Sequence, residues 1–281
     1  MGIPKRQIVS NIERNERLGL FDQPTQPVNP NLVAELKDDY VYLRHNIFYK
    51  LGTYMAHGVV RIAGDCFSGI AHLRVVGKQN LKNINSAIIT CNHIHDLDCT
   101  YIAHSVRHKR IFYTVSENNN KKGIAGFFLR QGGILPLGGS LTNTKNLSRA
   151  ISELLDKGSF VVFYPEAELW WNYKKPRPLK RGAYYYATKN NVPILPMFIT
   201  FAPRKKPRRD GLPKYNLTMH ILPPIYPDPK KSKAENAEIL RYTNFALWRD
   251  KYEEVYGQKL EYTTQNEEVK QELKKYLDYK I

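Results

Sequence analysis

Between residues 86 and 199 the chain alternates short, almost wholly apolar runs with segments of helical periodicity, and few folds accept that pattern. The apolar runs are residues 86–91, 110–115, 159–164 and 192–199. Between them residues 97–107, 123–131 and 182–189 read as helices, and Leu147, Ala150, Ile151, Leu154 and Leu155 form a stripe at i, i+3, i+4 spacing. The helix carrying that stripe opens at the Asn143-Thr144 cap signal and stops at Gly158. Strands without polar alternation must be covered on both faces, and parallel neighbours need crossover connections. The expectation is an α/β fold with a largely parallel central sheet covered by helices. In such sheets functional turns gather at the carboxyl ends of the strands.

The flanks have a different texture. Residues 1–37 read as an irregular polar lead-in with Pro24, Pro27 and Pro30 in its second half. From residue 40 to 62 the apolar positions Leu43, Ile47, Leu51, Tyr54, Met55, Val59 and Ile62 recur at helical spacing, with Arg44, His45, Lys50 and Arg61 between them. Gly52 and Gly58 argue against one continuous helix. These amphipathic segments either lie on a membrane surface or pack against the main domain. Residues 71–78 read as a strand of alternating polarity, 217–225 as a late strand, and the tail from Ala234 as helix. The expected organisation is a lead-in with membrane-surface helices over 1–70, a main domain over 71–230 and a helical extension over 231–281.

Forty-three Lys and Arg against 26 Asp and Glu leave a net charge of +17. Such a field attracts nucleic acid, an acidic protein or an anionic lipid surface. Nineteen tyrosines and three tryptophans mixed with basic residues suit a membrane interface, and would also suit single-stranded nucleic acid. No recognised nucleic-acid readout motif accompanies the charge, so no nucleic-acid partner is expected. Cys66, Cys91 and Cys99 make no even framework and no C-x-x-C pair, which points to a reducing compartment. Residues 1–17 hold no apolar core of a secretory signal, and no window approaches 18 uninterrupted apolar residues. The expected location is the cytoplasm, peripherally on the inner face of the membrane.

Residues 91–98 read Cys-Asn-His-Ile-His-Asp-Leu-Asp directly after an apolar strand. His93 and Asp98 stand five residues apart, and on one helix they would point about 140° away from each other. They can meet only if His93 sits in the turn and Asp98 in the first turn of the following helix, with Asp96 as its N-cap. A carboxylate bonded to one imidazole nitrogen leaves the other as a base, the base-plus-orienter half of a triad whose nucleophile the substrate supplies. Cys91 and Cys99 flank the base and read as small buried hydrophobes. His95 and Asp96 read as turn-shaping residues.

Three further blocks follow in order: Gly132-Gly133-Ile134-Leu135-Pro136-Leu137-Gly138-Gly139, then Phe163-Tyr164-Pro165-Glu166-Ala167-Glu168 with Lys180-Arg181-Gly182 behind it, then Val192-Pro193-Ile194-Leu195-Pro196. With the histidine turn, this series resembles the glycerolipid acyltransferases, the family of the lysophosphatidic acid acyltransferases, over roughly residues 75–225. The family blocks run N-H-x-x-x-x-D, G-x-[IF]-x-[IV]-x-R, F-P-E-G-T and V-P-[IV]-x-P. The resemblance implies that His93 is the general base for an acceptor hydroxyl and that Asp98 orients it. It implies that Glu166 accepts hydrogen bonds from the acceptor, that Gly133 belongs to the substrate site, and that Pro193 and Pro196 shape its wall. It implies no metal and no organic cofactor, with acyl-CoA or acyl carrier protein as co-substrate.

Two family positions differ here. Gly139 stands where the family has an arginine for the acceptor phosphate, and Ala167-Glu168 replaces the Gly-Thr pair. Losing a cation and gaining a carboxylate disfavours a phosphate. Either Lys180 and Arg181 substitute for the arginine, or the acceptor is not lysophosphatidic acid. The insert over residues 170–177, rich in aromatic and basic residues, reads either as an interfacial loop beside the entrance or as a packed surface loop. Arg204, Lys205, Lys206, Arg208 and Arg209 form a solvated basic loop. Two other readings compete: a metal-dependent hydrolase built on His93-x-His95, and a non-catalytic basic protein that binds lipid or nucleic acid.

Overall fold

The computed structural model describes residues 3–138, 140–208 and 210–281, apart from the side chain of Ala125. In chain order the elements are α1 (Lys5–Leu18), α2 (Ile47–Ala71), β1 (Arg74–Val76), β2 (Ala87–Cys91), α3 (Asp98–Ser105) and β3 (Ile111–Ser116). There follow α4 (Gly123–Gln131), β4 (Ile134–Leu137), α5 (Leu141–Asp156), β5 (Phe160–Phe163) and α6 (Gly182–Asn190). The chain ends with β6 (Ile194–Pro203), β7 (Tyr215–Ile221), α7 (Lys233–Tyr256) and α8 (Glu267–Leu277). The seven strands form one sheet in the order β1-β7-β6-β2-β5-β3-β4. Five of them, β2 to β6, run parallel, while β7 pairs antiparallel with β6 and β1 parallel with β7. The expected α/β fold with a largely parallel, helix-covered sheet is what forms.

Strand β2 lies at the centre, with Ile88 level with both Val161 and Ile194. Side chains alternate between faces. Ile88, Val161 and Ile194 join a core with Leu147, Ile151, Phe198, Phe245 and Trp248 under α5 and α7. Ala87, Ile89, Val162 and Leu195 face the opposite core with Tyr101 and Ile102 of α3. Helix α2 crosses α3 closely, since a Cβ added at Gly64 would stand 2.7 Å from the carbonyl oxygen of Thr100. The glycines expected to interrupt this segment do not do so, because tertiary packing outweighs their low propensity.

Several expectations are corrected. The lead-in contains α1, which buries Ile8 and Ile12 against Trp170, Trp171 and Leu273 and is closed by Gly19 in the left-handed conformation. Helix α5 starts earlier than its stripe suggested, because the Ser140 hydroxyl accepts from the Asn143 N–H at 3.0 Å. Asp96 does not cap α3: Leu97 holds the N-cap position, and the Asp96 carboxylate lies 3.8 Å from Lys5 Nζ. The insert over residues 170–177 is packed rather than interfacial, with Trp170, Trp171 and Arg177 buried.

Candidate active site

The carboxyl ends of β2 and β5 are neighbours, so the turns that leave them, at residues 92–97 and 164–170, meet at one edge of the sheet. Asn92 fixes the first turn to β6: its side-chain amide donates to the carbonyl of Ile199 at 3.0 Å and accepts from the Ile199 N–H at 2.7 Å. Beyond it, His93 and Asp98 meet, with Nδ1 2.9 Å from Asp98 Oδ2. The Asp98 carboxylate is wholly buried, and the same oxygen accepts the backbone N–H groups of Ile94 at 2.8 Å and His95 at 3.0 Å. An ionised carboxylate can only accept, so Nδ1 carries the hydrogen and Nε2 is the basic nitrogen. The imidazole retains 21% exposure and stacks on Tyr164, 4.1 Å between ring centroids. Burial pushes the Tyr164 phenol well above its ordinary range, so it stays neutral beneath the imidazole.

Both peptide groups of His93 are held by the second turn. Its N–H donates to Glu166 Oε2 at 3.2 Å, and its carbonyl accepts from the Trp170 N–H at 3.0 Å. Glu166 itself is buried and paired with Arg177: Nη2 donates to Oε2 at 2.9 Å, and the Arg177 backbone N–H donates to Oε1 at 2.9 Å. In this arrangement Glu166 holds the His93 peptide through Oε2, while Oε1 receives one donor. Nothing in the sequence marks Arg177 beyond its place in the insert. A lone arginine after Pro176 carries no local signal of a pairing that closes 11 residues back.

Ala167 adopts φ +72°, the left-handed region that a glycine occupies without strain. Glu168 is half-buried, and burial raises its carboxyl above the ordinary range against the lowering fields of His93 and Arg177.

The remaining expected site residues are dispersed. Lys180 is anchored near the second turn by a bond from its N–H to the Pro165 carbonyl, but its ammonium pairs with Asp22 at 2.6 Å. Arg181 pairs with Glu238 of α7 at 2.8 Å. Both pairs lie on the exposed surface, where such contacts are weak. Pro193 precedes Ile194, which is level with Ile88, so it lies about 20 Å along the strand from His93 at 3.3 Å per residue. Pro196 is level with Thr90, inside the sheet. Gly133 also lies toward the amino edge, at φ +94°, where a Cβ would stand 3.0 Å from the Ile111 carbonyl and 3.1 Å from His57 Nε2. Pro193 and Gly133 thus lie toward the amino edge, away from His93, while Pro196 lies within the sheet near the carboxyl end of β2. Gly139 and Arg209 lie outside the described residues.

The competing chemistries lose ground on geometry. His95 Nδ1 accepts from the Leu97 N–H at 3.1 Å, so it serves the turn, and among the described residues no three His, Cys, Asp or Glu side chains converge as metal ligands. Burial pushes the Cys91 thiol well above its ordinary range and the Cys99 thiol up to about 11, which keeps both protonated and poor as nucleophiles.

The family model described as Acyltransferase matches residues 72–200, the span that carries all four blocks. Over that span the chain resembles the acyltransferase family. No curated protein matches it. Among solved structures it is similar to the 1-acyl-sn-glycerophosphate (LPA) acyltransferase PlsC from Thermotoga maritima, with a TM-score of 0.55 and 19% identity over 79% of this chain and 87% of that one. At that identity the likeness is one of fold. The acyltransferase resemblance read from the four blocks is supported over residues 72–200, and the metal-dependent hydrolase reading is not favoured.

Proposed function

We propose that this acyltransferase moves a fatty acyl group from an acyl thioester, acyl-CoA or acyl carrier protein, to a hydroxyl of a lysophospholipid or related glycerolipid in phospholipid biosynthesis or remodelling. The observation that carries the reading is the bond from His93 Nδ1 to buried Asp98 with the imidazole edge still open. Nε2 takes the proton of the acceptor hydroxyl as its oxygen attacks the thioester carbonyl. The tetrahedral adduct then expels the thiolate, which recovers the proton from the imidazolium. Asp98 stabilises that imidazolium while it exists. Proton transfer of this kind contributes ~10²–10⁴-fold, and positioning supplies much of the rest. No cofactor is required.

The acceptor is a bilayer lipid, and the surface suits one. Helices α2 and α4 touch and expose Ile47, Phe48, Leu51, Tyr54, Met55, Val59 and Ile62, then Ile124, Phe127 and Phe128, with Phe48 at 84% and Ile124 at 78%. A cluster of exposed apolar side chains on touching helices is what a membrane- or partner-facing surface presents. No helix among the described residues is long and apolar enough to cross a membrane. We therefore read α2 and α4 as a platform on the surface of an anionic bilayer, the inner face of the cytoplasmic membrane, with the +17 charge adding attraction. The presence of Glu168, with Gly139 where the family has an arginine, favours an acceptor other than a phosphate monoester.

The test is transfer by the purified protein, from acyl-CoA or acyl carrier protein, to a panel of lysolipids in vesicles, with the product read by mass spectrometry. His93→Ala should lower the rate by ~10²–10⁴-fold with the fold intact. A folded His93→Ala variant that keeps near-normal turnover would overturn the reading.

A further inference from the structure

Arg177 is 1% exposed, and its guanidinium is used at both ends. Nη2 donates to Glu166 Oε2 at 2.9 Å and to the Glu168 carbonyl, and Nη1 donates to the Phe21 carbonyl at 2.9 Å. Its plane lies over the Trp170 ring, 4.6 Å from the centroid. Glu166 Oε2 is the oxygen that receives the His93 N–H, and Trp170 is the residue whose N–H reaches the His93 carbonyl. The two contacts that fix the peptide groups of the base therefore share one guanidinium.

A fully buried ion pair is a poor way to gain stability, because desolvating both ions offsets most of their attraction. What it does supply is direction: a planar fork and a carboxylate admit few relative orientations. We propose that Arg177 is a positioning residue for acyl transfer, holding the His93 backbone through Glu166 and Trp170 and tying it to residues 21–23 of the N-terminal segment. The proposal rests on His93 being the base. The N-terminal segment takes part directly, since the Trp170 indole N–H donates to the Gln23 carbonyl at 3.0 Å.

A lysine cannot reproduce the fork. It keeps the charge beside Glu166 but cannot also reach Phe21 and Glu168 in one plane. Misplacing a catalytic group by about 1 Å costs ~10²-fold, so Arg177→Lys should lower kcat by ~30–100-fold. KM for thioester and lysolipid should stay within about threefold, because Arg177 touches neither substrate.

Arg177→Met would leave the Glu166 carboxylate buried and unpaired and could fail to fold. The second variant is therefore the double substitution Arg177→Met, Glu166→Gln, which removes both charges together and is expected to lose kcat similarly. Selectively labelled histidine provides a readout independent of turnover: the His93 amide and imidazole resonances should shift in both variants. A folded variant of either kind with kcat within threefold of the parent, or with unshifted His93 resonances, would overturn the proposal. If the parent transfers no acyl group to any acceptor, the functional reading fails, and the His93 resonances still decide whether Arg177 positions that residue.

Discussion

Asp98→Asn separates the charge of the orienting residue from its architecture. Oδ2 of Asp98 receives three donors, His93 Nδ1 and the N–H groups of Ile94 and His95, and an asparagine carbonyl placed there can receive all three. The turn should therefore persist. Oδ1 is buried without a protein partner, so the new amide group goes unpaired and costs about 1–3 kcal/mol of stability. The catalytic loss is larger. An imidazolium and a carboxylate with charge centres about 4 Å apart attract by about 4 kcal/mol at an effective dielectric of 20. Losing that attraction as the proton moves to Nε2 slows the step by about 10³-fold. The assay is thiol release from acyl-CoA by the purified variant on lysolipid vesicles, with scanning calorimetry for stability. The expected result is a folded protein whose kcat falls about 10³-fold. If kcat stays above one third of the parent value, the imidazolium is not formed beside Asp98 and the base assignment is wrong.

Serine at Ile124, Phe127 and Phe128 of α4 should weaken partitioning into anionic vesicles by about 10²-fold, taking about 1 kcal/mol for each half-buried side chain; unchanged co-sedimentation would refute the platform. Burial, helped by Arg61 and Arg110, holds the His57 imidazole down to about 4, and burial with the Lys251 field does the same to His220. Unfolded histidine takes its proton near 6.5, so stability should fall by about 1.4 kcal/mol per pH unit for each as pH drops from there to about 4, with no effect above. His57→Gln should halve the slope in denaturant titrations. Glu16 is buried, with Oε1 2.6 Å from Lys175 Nζ and accepting the Thr263 N–H at 3.0 Å, and Glu16→Ala should cost about 2–3 kcal/mol and speed hydrogen exchange across residues 168–177. Parent-like exchange there would show that the termini do not brace this loop.

How well each element could be read from the sequence followed from how local its cause is. Strands β2, β5 and β6 are continuous apolar runs, and a run of that kind has few other destinations than a covered sheet. Strand β4 escaped notice because Pro136 interrupts a four-residue run, which an edge position tolerates and a central one would not. Helix α1 escaped because its buried seam is little more than Ile8 and Ile12. Its partners, Trp170, Trp171 and Leu273, lie far along the chain, and no window of sequence contains both sides of that contact.

The same distinction divides the site. His93 and Asp98 could be paired from spacing because five residues of turn bring them together unaided. Gly133, Pro193 and Pro196 could not be placed, because the order of motifs says nothing about which edge of the sheet each occupies. Only register decides that, and Ile88 level with Ile194 puts Pro193 at the far end from the base. Glu166 is marked by its position after a strand, but nothing near it in the sequence shows what buries it. Arg177 claims it from 11 residues away, and Phe21, 156 residues from Arg177, fixes the guanidinium. A His–Asp pair read from five residues of sequence is thus held by an assembly that only the complete fold brings together. Substitutions in the N-terminal segment should therefore register at the base before they register in the sheet.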